Sequence, residues 1–305
     1  MGTPLLWLAF NLFVLAAIAL DLGVFHRRPH KMETREAITW TLVWVGLSVA
    51  FGLCVMHFSG AQRGLEFFTG YVIEKALSVD NLFLFLVIFR AFKVDEKIQH
   101  RILEWGIIGA LVMRGAMIAA GAGLIERFSW VLYVFGAFLV YAGLHMLFAK
   151  KKEMHPNENR ISRFAKRYLR VTQEYKGSKF FVRDGGKLFA TPLFVVLLIV
   201  ELTDITMAVD SIPAIFGITR DPFIVYTSNV FAILGLRAMY FLLAGVLGRL
   251  RYLTAGLSFV LSFIGAKMIV EPWVHISVET SLAVVGGILF VALAASLLTG
   301  PRTQA

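Results

Sequence analysis

Uncharged apolar runs of about 18 or more residues, long enough to cross a hydrocarbon core about 30 Å thick, recur along almost the whole chain. They lie at approximately 4–24, 38–58, 66–89, 102–123, 129–149, 189–212, 223–247, 255–271 and 278–299, the eighth being the shortest and interrupted by Lys267. A soluble domain could carry 58% apolar residues in its core, but its charges would recur along every helix, and here most of them sit between the runs. The chain therefore reads as an all-α integral membrane protein with about nine transmembrane helices. Residues 1–305 form one polytopic membrane domain. The expected location is the cell membrane, which in a Gram-negative bacterium means the inner one.

A net charge of +10 would suit a nucleic-acid partner if it were spread over one surface, so its placement matters. If the runs cross, alternate connections share a side. One side carries Arg27, Arg28, Lys31, Arg35, Arg90, Lys93, Lys97, Arg101, twelve Lys and Arg between Lys150 and Lys187, Arg249, Arg251 and Arg302. The other carries Arg63, Arg127 and Arg220. By the positive-inside rule the N-terminus is outside and the C-terminus cytoplasmic. The basic charge is a topology signal, the expected partner is the lipid bilayer, and no nucleic acid is expected. No positive residue precedes the run Leu5–Leu20 and Arg27–Arg28 follows it, as in a retained anchor. The segment 150–188 reads as a cytoplasmic basic loop, with Arg160–Leu169 lying along the membrane surface. Cysteines placed at 94 and 155 in a chain lacking Cys54 are predicted to be shielded from impermeant reagents in intact cells, and one at 219 to label. Labelling at 155 would overturn this topology.

The chain also repeats itself. IEKALSVDN at 73–81 aligns without gaps with TDITMAVDS at 203–211, which sets Glu74 against Asp204, Asp80 against Asp210 and Asn81 against Ser211. LVMRGAM at 111–117 resembles LGLRAMY at 234–240, pairing Arg114 with Arg237, and GLHM at 143–146 resembles GAKM at 265–268. Each copy covers three runs, spans 3–5 and spans 6–8. An odd number of crossings inserts the second copy upside down, the inverted repeat of many transporters.

An ionised carboxylate at the bilayer centre costs roughly 2.5–3.5 kcal/mol on insertion scales, and this chain places Glu74 and Asp80 in span 3 and Glu201, Asp204 and Asp210 in span 6. Nearby bases are Lys75, Arg114 and Arg237, for which structural salt bridges are the expected role. The acids outnumber them, so the excess calls for a cation or protons. Positions six apart on a straight helix are about 120° apart, so neither Glu74 with Asp80 nor Asp204 with Asp210 shares a face. The helix must bend or the site must lie between helices. Pro213 removes one hydrogen bond and frees the carbonyl of Val209, beside Asp210.

Carboxylates, Asn81, Ser211 and freed carbonyls are oxygen donors suited to a hard divalent ion such as Mg²⁺, Ca²⁺ or Mn²⁺. Met207 beside them reads as packing, His145 as interfacial, and Asn229 is suited to a hydrogen bond across helices. One cysteine, Cys54, excludes a disulfide or dithiol centre within the chain.

The segments GYVIEKALSVDNLFLFLVIF at 70–89, ELTDITMAVDSIPAIFGIT at 201–219 and TSNVFAILGLRAMYFLL at 227–243 resemble the TerC family, closely its Alx-type members. The resemblance implies intramembrane acids at Glu74, Asp80, Glu201, Asp204 and Asp210, with Asn81 and Ser211 beside them, and a role in manganese export. The expectation is a secondary transporter, not an enzyme, with no permanently bound cofactor, that exports Mn²⁺ and exchanges it for protons. Against it stands a non-transporting membrane partner in metal loading, protein assembly, tellurium resistance or redox modulation. An intramembrane aspartyl protease is disfavoured, because Asp80 and Asp210 each follow a small residue and Val and lack GxGD-type flanks.

Overall fold

Within hydrocarbon no water meets the backbone, so each N–H and C=O must be satisfied by the chain itself, and helices do this segment by segment. The computed structural model describes residues 2–23, 34–148, 170–172, 174–184, 186–244 and 252–299, and is built almost wholly that way. Its elements are α1 (Pro4–Gly23), α2 (Thr34–Ser59), α3 (Ala61–Ala91), α4 (Glu96–Arg127), α5 (Val131–Phe148), β1 (Phe181–Asp184), β2 (Lys187–Ala190), α6 (Pro192–Phe216), α7 (Pro222–Ile233), α8 (Leu236–Ala244), α9 (Leu253–Val270) and α10 (Val278–Thr299). The expected surface helix at Arg160–Leu169, and the basic residues Arg27, Arg28, Lys31, Arg249 and Arg251, lie outside the described residues.

Among the described residues, α2, α4, α5, α6, α9 and α10 are each long and apolar enough to cross a membrane. The pair α7–α8 makes a seventh if counted as one span. The other two expected spans are helical but differ in kind. The apolar stretch of α1 is short, Pro4–Leu20, and α3 carries Arg63, Glu66, Glu74, Lys75, Asp80 and Arg90 along its length. Large apolar side chains such as Leu12, Val112, Phe290 and Leu298 point outward, as a lipid-facing surface requires.

The seventh run is broken. Leu234 ends α7 and Gly235 takes φ +82°, so the two halves meet at 44°. A side chain at Gly235 would meet the Trp44 ring, so both the left-handed backbone and the close approach of α2 require glycine. Pro213 lies inside α6, which continues three residues beyond it to Phe216. Asp95 and Asp221 start α4 and α7 by accepting from Lys97 N at 2.9 Å and Phe223 N at 3.0 Å.

Packing pairs the helices across the two halves of the chain: α3 lies on α7, α4 on α6, and α5 on α9. The last contact is backbone on backbone. A Cβ on Gly265 would stand 2.5 Å from the Gly136 carbonyl, and one on Gly143 would stand 2.6 Å from that of Ser258. Small residues let the axes approach this closely, and dispersion then takes over the role that the hydrophobic effect has in water.

A strap crosses the ends of α3, α4 and α6. The β1–β2 hairpin turns at Gly186, φ +76°. Just before it, Arg101 donates to Ser178 Oγ at 3.0 Å and lies 5.5 Å over the Phe180 ring. Tyr175 donates its hydroxyl to the Phe92 carbonyl at 2.8 Å, and burial pushes that hydroxyl up to about 12, so it remains a donor throughout the physiological range.

Candidate cation site between the helices

Arg114, on α4, is 1% exposed and must find acceptors inside the protein. Its Nε and Nη2 donate to both oxygens of Asp204 on α6, at 3.0 and 2.9 Å, and its Nη1 donates to Glu74 Oε1 on α3. The planar fork suits such a double contact better than an ammonium would. One guanidinium therefore joins three helices and two acids. Glu74 is fully buried and Asp204 4% exposed.

The other predicted residues are placed around this centre. Asp80 is half-buried and accepts from Thr254 Oγ1 on α9 at 3.2 Å, so it faces a different helix from Glu74, as the six-residue spacing requires. Asp210 is half-buried and makes no hydrogen bond among the described residues, while Asn81 is buried. Glu201 lies against Gly109 of α4, where a side chain would collide with its carboxylate. It lines a cavity of about 20 Å³ with Asp204 and Arg237, enough room for about one water. Lys75 donates to the Ala232 carbonyl at 3.1 Å, next to the α7–α8 break, where the end of a half-helix attracts positive charge. Arg237 donates to Glu104 Oε1 at 3.0 Å. The residue that sequence reasoning passed over is thus Glu104, and the signal was there, an acid inside the predicted span 102–123.

Arg114 and Arg237 each form buried ion pairs, but the acids do not converge on one point. Among the described residues, no three His, Cys, Asp or Glu side chains come close enough to hold a metal ion. What remains is a set of unmet polar groups, both acceptors and donors. Among the described residues, Tyr71 OH, Glu74 Oε2, Glu201 Oε2, Ser78 Oγ, Ser211 Oγ and both amide atoms of Asn229 are buried without a partner, a concentration of unmet polar groups that a native interior seldom tolerates. Toward the end expected to lie outside, a cavity of about 430 Å³ opens among the ends of α3, α6 and α9. Glu66, Thr219, Lys267, Glu271 and His275 line it. Thr219 donates to Glu66 at 2.6 Å there, and Lys267 to Ser281 at 3.0 Å.

Residues 59–304 match the model of a family described as integral membrane protein TerC. The chain is 48% identical over 297 residues to an uncharacterized membrane protein, STKORF319, of Myxococcus xanthus, covering 97% of this chain and 93% of that one. It is 48% identical over 297 residues to the Alx protein of Escherichia coli (strain K12), whose name suggests a membrane-bound redox modulator, with 94% and 92% covered. The Salmonella typhi protein of the same name is 47% identical over 301 residues, with 96% and 94% covered. No solved structure matches.

Proposed function

The chain belongs to the TerC family of integral membrane proteins and is of its Alx type, and from that premise we propose that it is a secondary transporter, not an enzyme, that exports a hard divalent cation, Mn²⁺ foremost, through the intramembrane acids. The observation that carries this reading is the pair of buried carboxylate oxygens left unmet near Arg114. A purely structural pair would satisfy its own oxygens, whereas Glu74 Oε2 and Glu201 Oε2 are buried with no donor among the described residues. Oxygen donors of carboxylate, hydroxyl and amide type are the set that Mn²⁺ and similar ions take.

The cross-paired packing supports an inverted repeat of spans 3–5 and 6–8 within nine spans. If α3–α5 and α6–α9 are related by a two-fold axis, the contact α3 on α7 maps onto α6 on α4, and α5 on α9 maps onto itself. At residue level the alignment that pairs Gly143 with Gly265 also pairs Gly136 with Ser258. The contacts Gly143–Ser258 and Gly265–Gly136 are then mates under that axis. In this reading the cation loads from the cytoplasm, passes Glu74, Asp80, Asn81, Glu201, Asp204, Asp210 and Ser211, and leaves through the 430 Å³ cavity. Protons return by occupying the vacated carboxylates. Redox chemistry by a dithiol would need a second cysteine, and Cys54 is the sole one.

Purified protein in proteoliposomes with an acidic lumen is expected to accumulate Mn²⁺, and an ionophore that collapses the gradient is expected to stop it. No movement of Mn²⁺, Ca²⁺ or Mg²⁺ by folded protein would reject the transporter reading. Movement indifferent to the gradient would remove the proton coupling alone.

A further inference from the structure

Hydroxyls in the middle of helices ordinarily return to the carbonyl one turn back. Ser48, Thr69, Thr203, Thr227, Ser258 and Ser296 all do so here, to Trp44, Leu65, Ile199, Phe223, Thr254 and Ala292. Ser78 and Ser211, fully or almost fully buried, do not. Asn229 is completely buried, yet neither its carbonyl nor its amide nitrogen has a partner among the described residues. An unmet primary amide in a dry interior costs about 1–3 kcal/mol, so three such side chains need a common explanation.

The helix registers bring them together. A Cβ on Gly70 of α3 would stand 3.2 Å from Ile215 Cγ2 of α6 and 2.9 Å from Ser228 Oγ of α7. One turn along α3 from Gly70 is Glu74, and one turn back along antiparallel α6 from Ile215 is Ser211. On α7, Asn229 follows Ser228 directly and precedes Ala232, whose carbonyl holds Lys75. Asn229 is therefore bracketed opposite residues 70–75 of α3. On its other side, Gly115 of α4 approaches Tyr226, which places Asn229 about a turn from the level of Arg114. Glu74, Ser211 and Asn229 thus occupy similar levels on three packed helices, with Ser78 one turn further along α3.

We propose that Asn229 and Ser78, with Ser211, supply neutral oxygens that strip water from a hard divalent cation held by Glu74. This deepens the transporter reading and rests on it. The neutral donors answer a specific difficulty, since Arg114 already engages the other oxygen of Glu74 and both oxygens of Asp204. Carboxylates alone cannot fill the six or more oxygen positions such an ion needs.

The test uses the full-length purified chain and Mn²⁺ itself, with free Mn²⁺ read by electron paramagnetic resonance and unfolding followed by heating. Asn229→Leu, nearly isosteric and apolar, is expected to weaken Mn²⁺ binding by roughly 10–100-fold, as loss of supporting polar groups typically does at metal sites. Its melting temperature without metal should equal or exceed the parent's, because an orphan amide has been removed. Ser78→Ala is expected to weaken binding in the same direction and removes only a hydroxyl, so it decides the matter if Asn229→Leu does not fold. Parent-like Mn²⁺ affinity in the folded variants, with Asp210→Asn still defective, would mean that these groups hold only water and would overturn the assignment while leaving the transporter standing. Absence of Mn²⁺, Ca²⁺ and Mg²⁺ binding by the parent protein would overturn both.

Discussion

Arg114→Met is expected to destabilise the protein more than any other single change in the site, by about 3–5 kcal/mol, the usual consequence of removing one member of a buried ionic group. The reason is specific. Arg114 is 1% exposed and joins Glu74 on α3 to Asp204 on α6, so its loss takes the directly bonded cation from two buried carboxylates. For a chain of this size the midpoint of thermal unfolding in detergent should fall by on the order of 10 °C. Replacing Glu74 by Gln in the same protein should recover part of that loss, because an amide tolerates the absence of the cation. Divalent ion should recover part of it too, since an uncompensated acidic site favours a metal. A variant that accumulates and melts like the parent would show that Arg114 is not the keystone of the three-helix contact.

Asp80→Asn and Asp210→Asn are expected to behave in the opposite way, losing Mn²⁺ transport by at least about 100-fold while the melting temperature stays within a few degrees. Neither acid is held by Arg114. Asp80 accepts from Thr254 Oγ1, a contact an Asn carbonyl can keep, and Asp210 is half-buried without a hydrogen bond among the described residues. Replacing a carboxylate by an amide of the same shape removes only the charge, so a stability effect should be small while a cation or proton would lose its anchor. Transport at the parent rate by both folded variants would sink the proposed site. Loss of activity that tracks loss of folded protein would return both acids to a structural role.

These two results separate charges that hold helices together from charges that the site can spend on a ligand, a division the sequence shows only in part. The six-residue spacing of Glu74 and Asp80 already excludes a shared face, and the structure sends the first to Arg114 and the second to Thr254. That argument needs only helix geometry. By contrast, nothing local to Arg114 says that it joins Glu74, forty positions earlier, to Asp204, ninety positions later, or that Arg237, its counterpart in the proposed repeat, turns instead to Glu104. Proline is the helix breaker legible in sequence, whereas the 44° break at Gly235 depends on α2 pressing Trp44 against the backbone, a contact invisible from either segment alone.

What the sequence determined by itself is what lipid reads one segment at a time. The transfer of a run of about 20 residues into hydrocarbon depends on its own composition and length, so the helices, their approximate limits and the membrane location follow from the chain directly. The order of polar landmarks likewise exposed the candidate repeat and the excess of acids over bases. What only the tertiary structure decided is the rotation and register of each helix: that Arg114 spans three helices, that Glu201 lines a small cavity beside Arg237, and that Ser78, Ser211 and Asn229 find no partner among the described residues. Rotation and register are set by interdigitation with every neighbour at once, through small energies at contacts such as Gly136 with Gly265. No single segment carries that information.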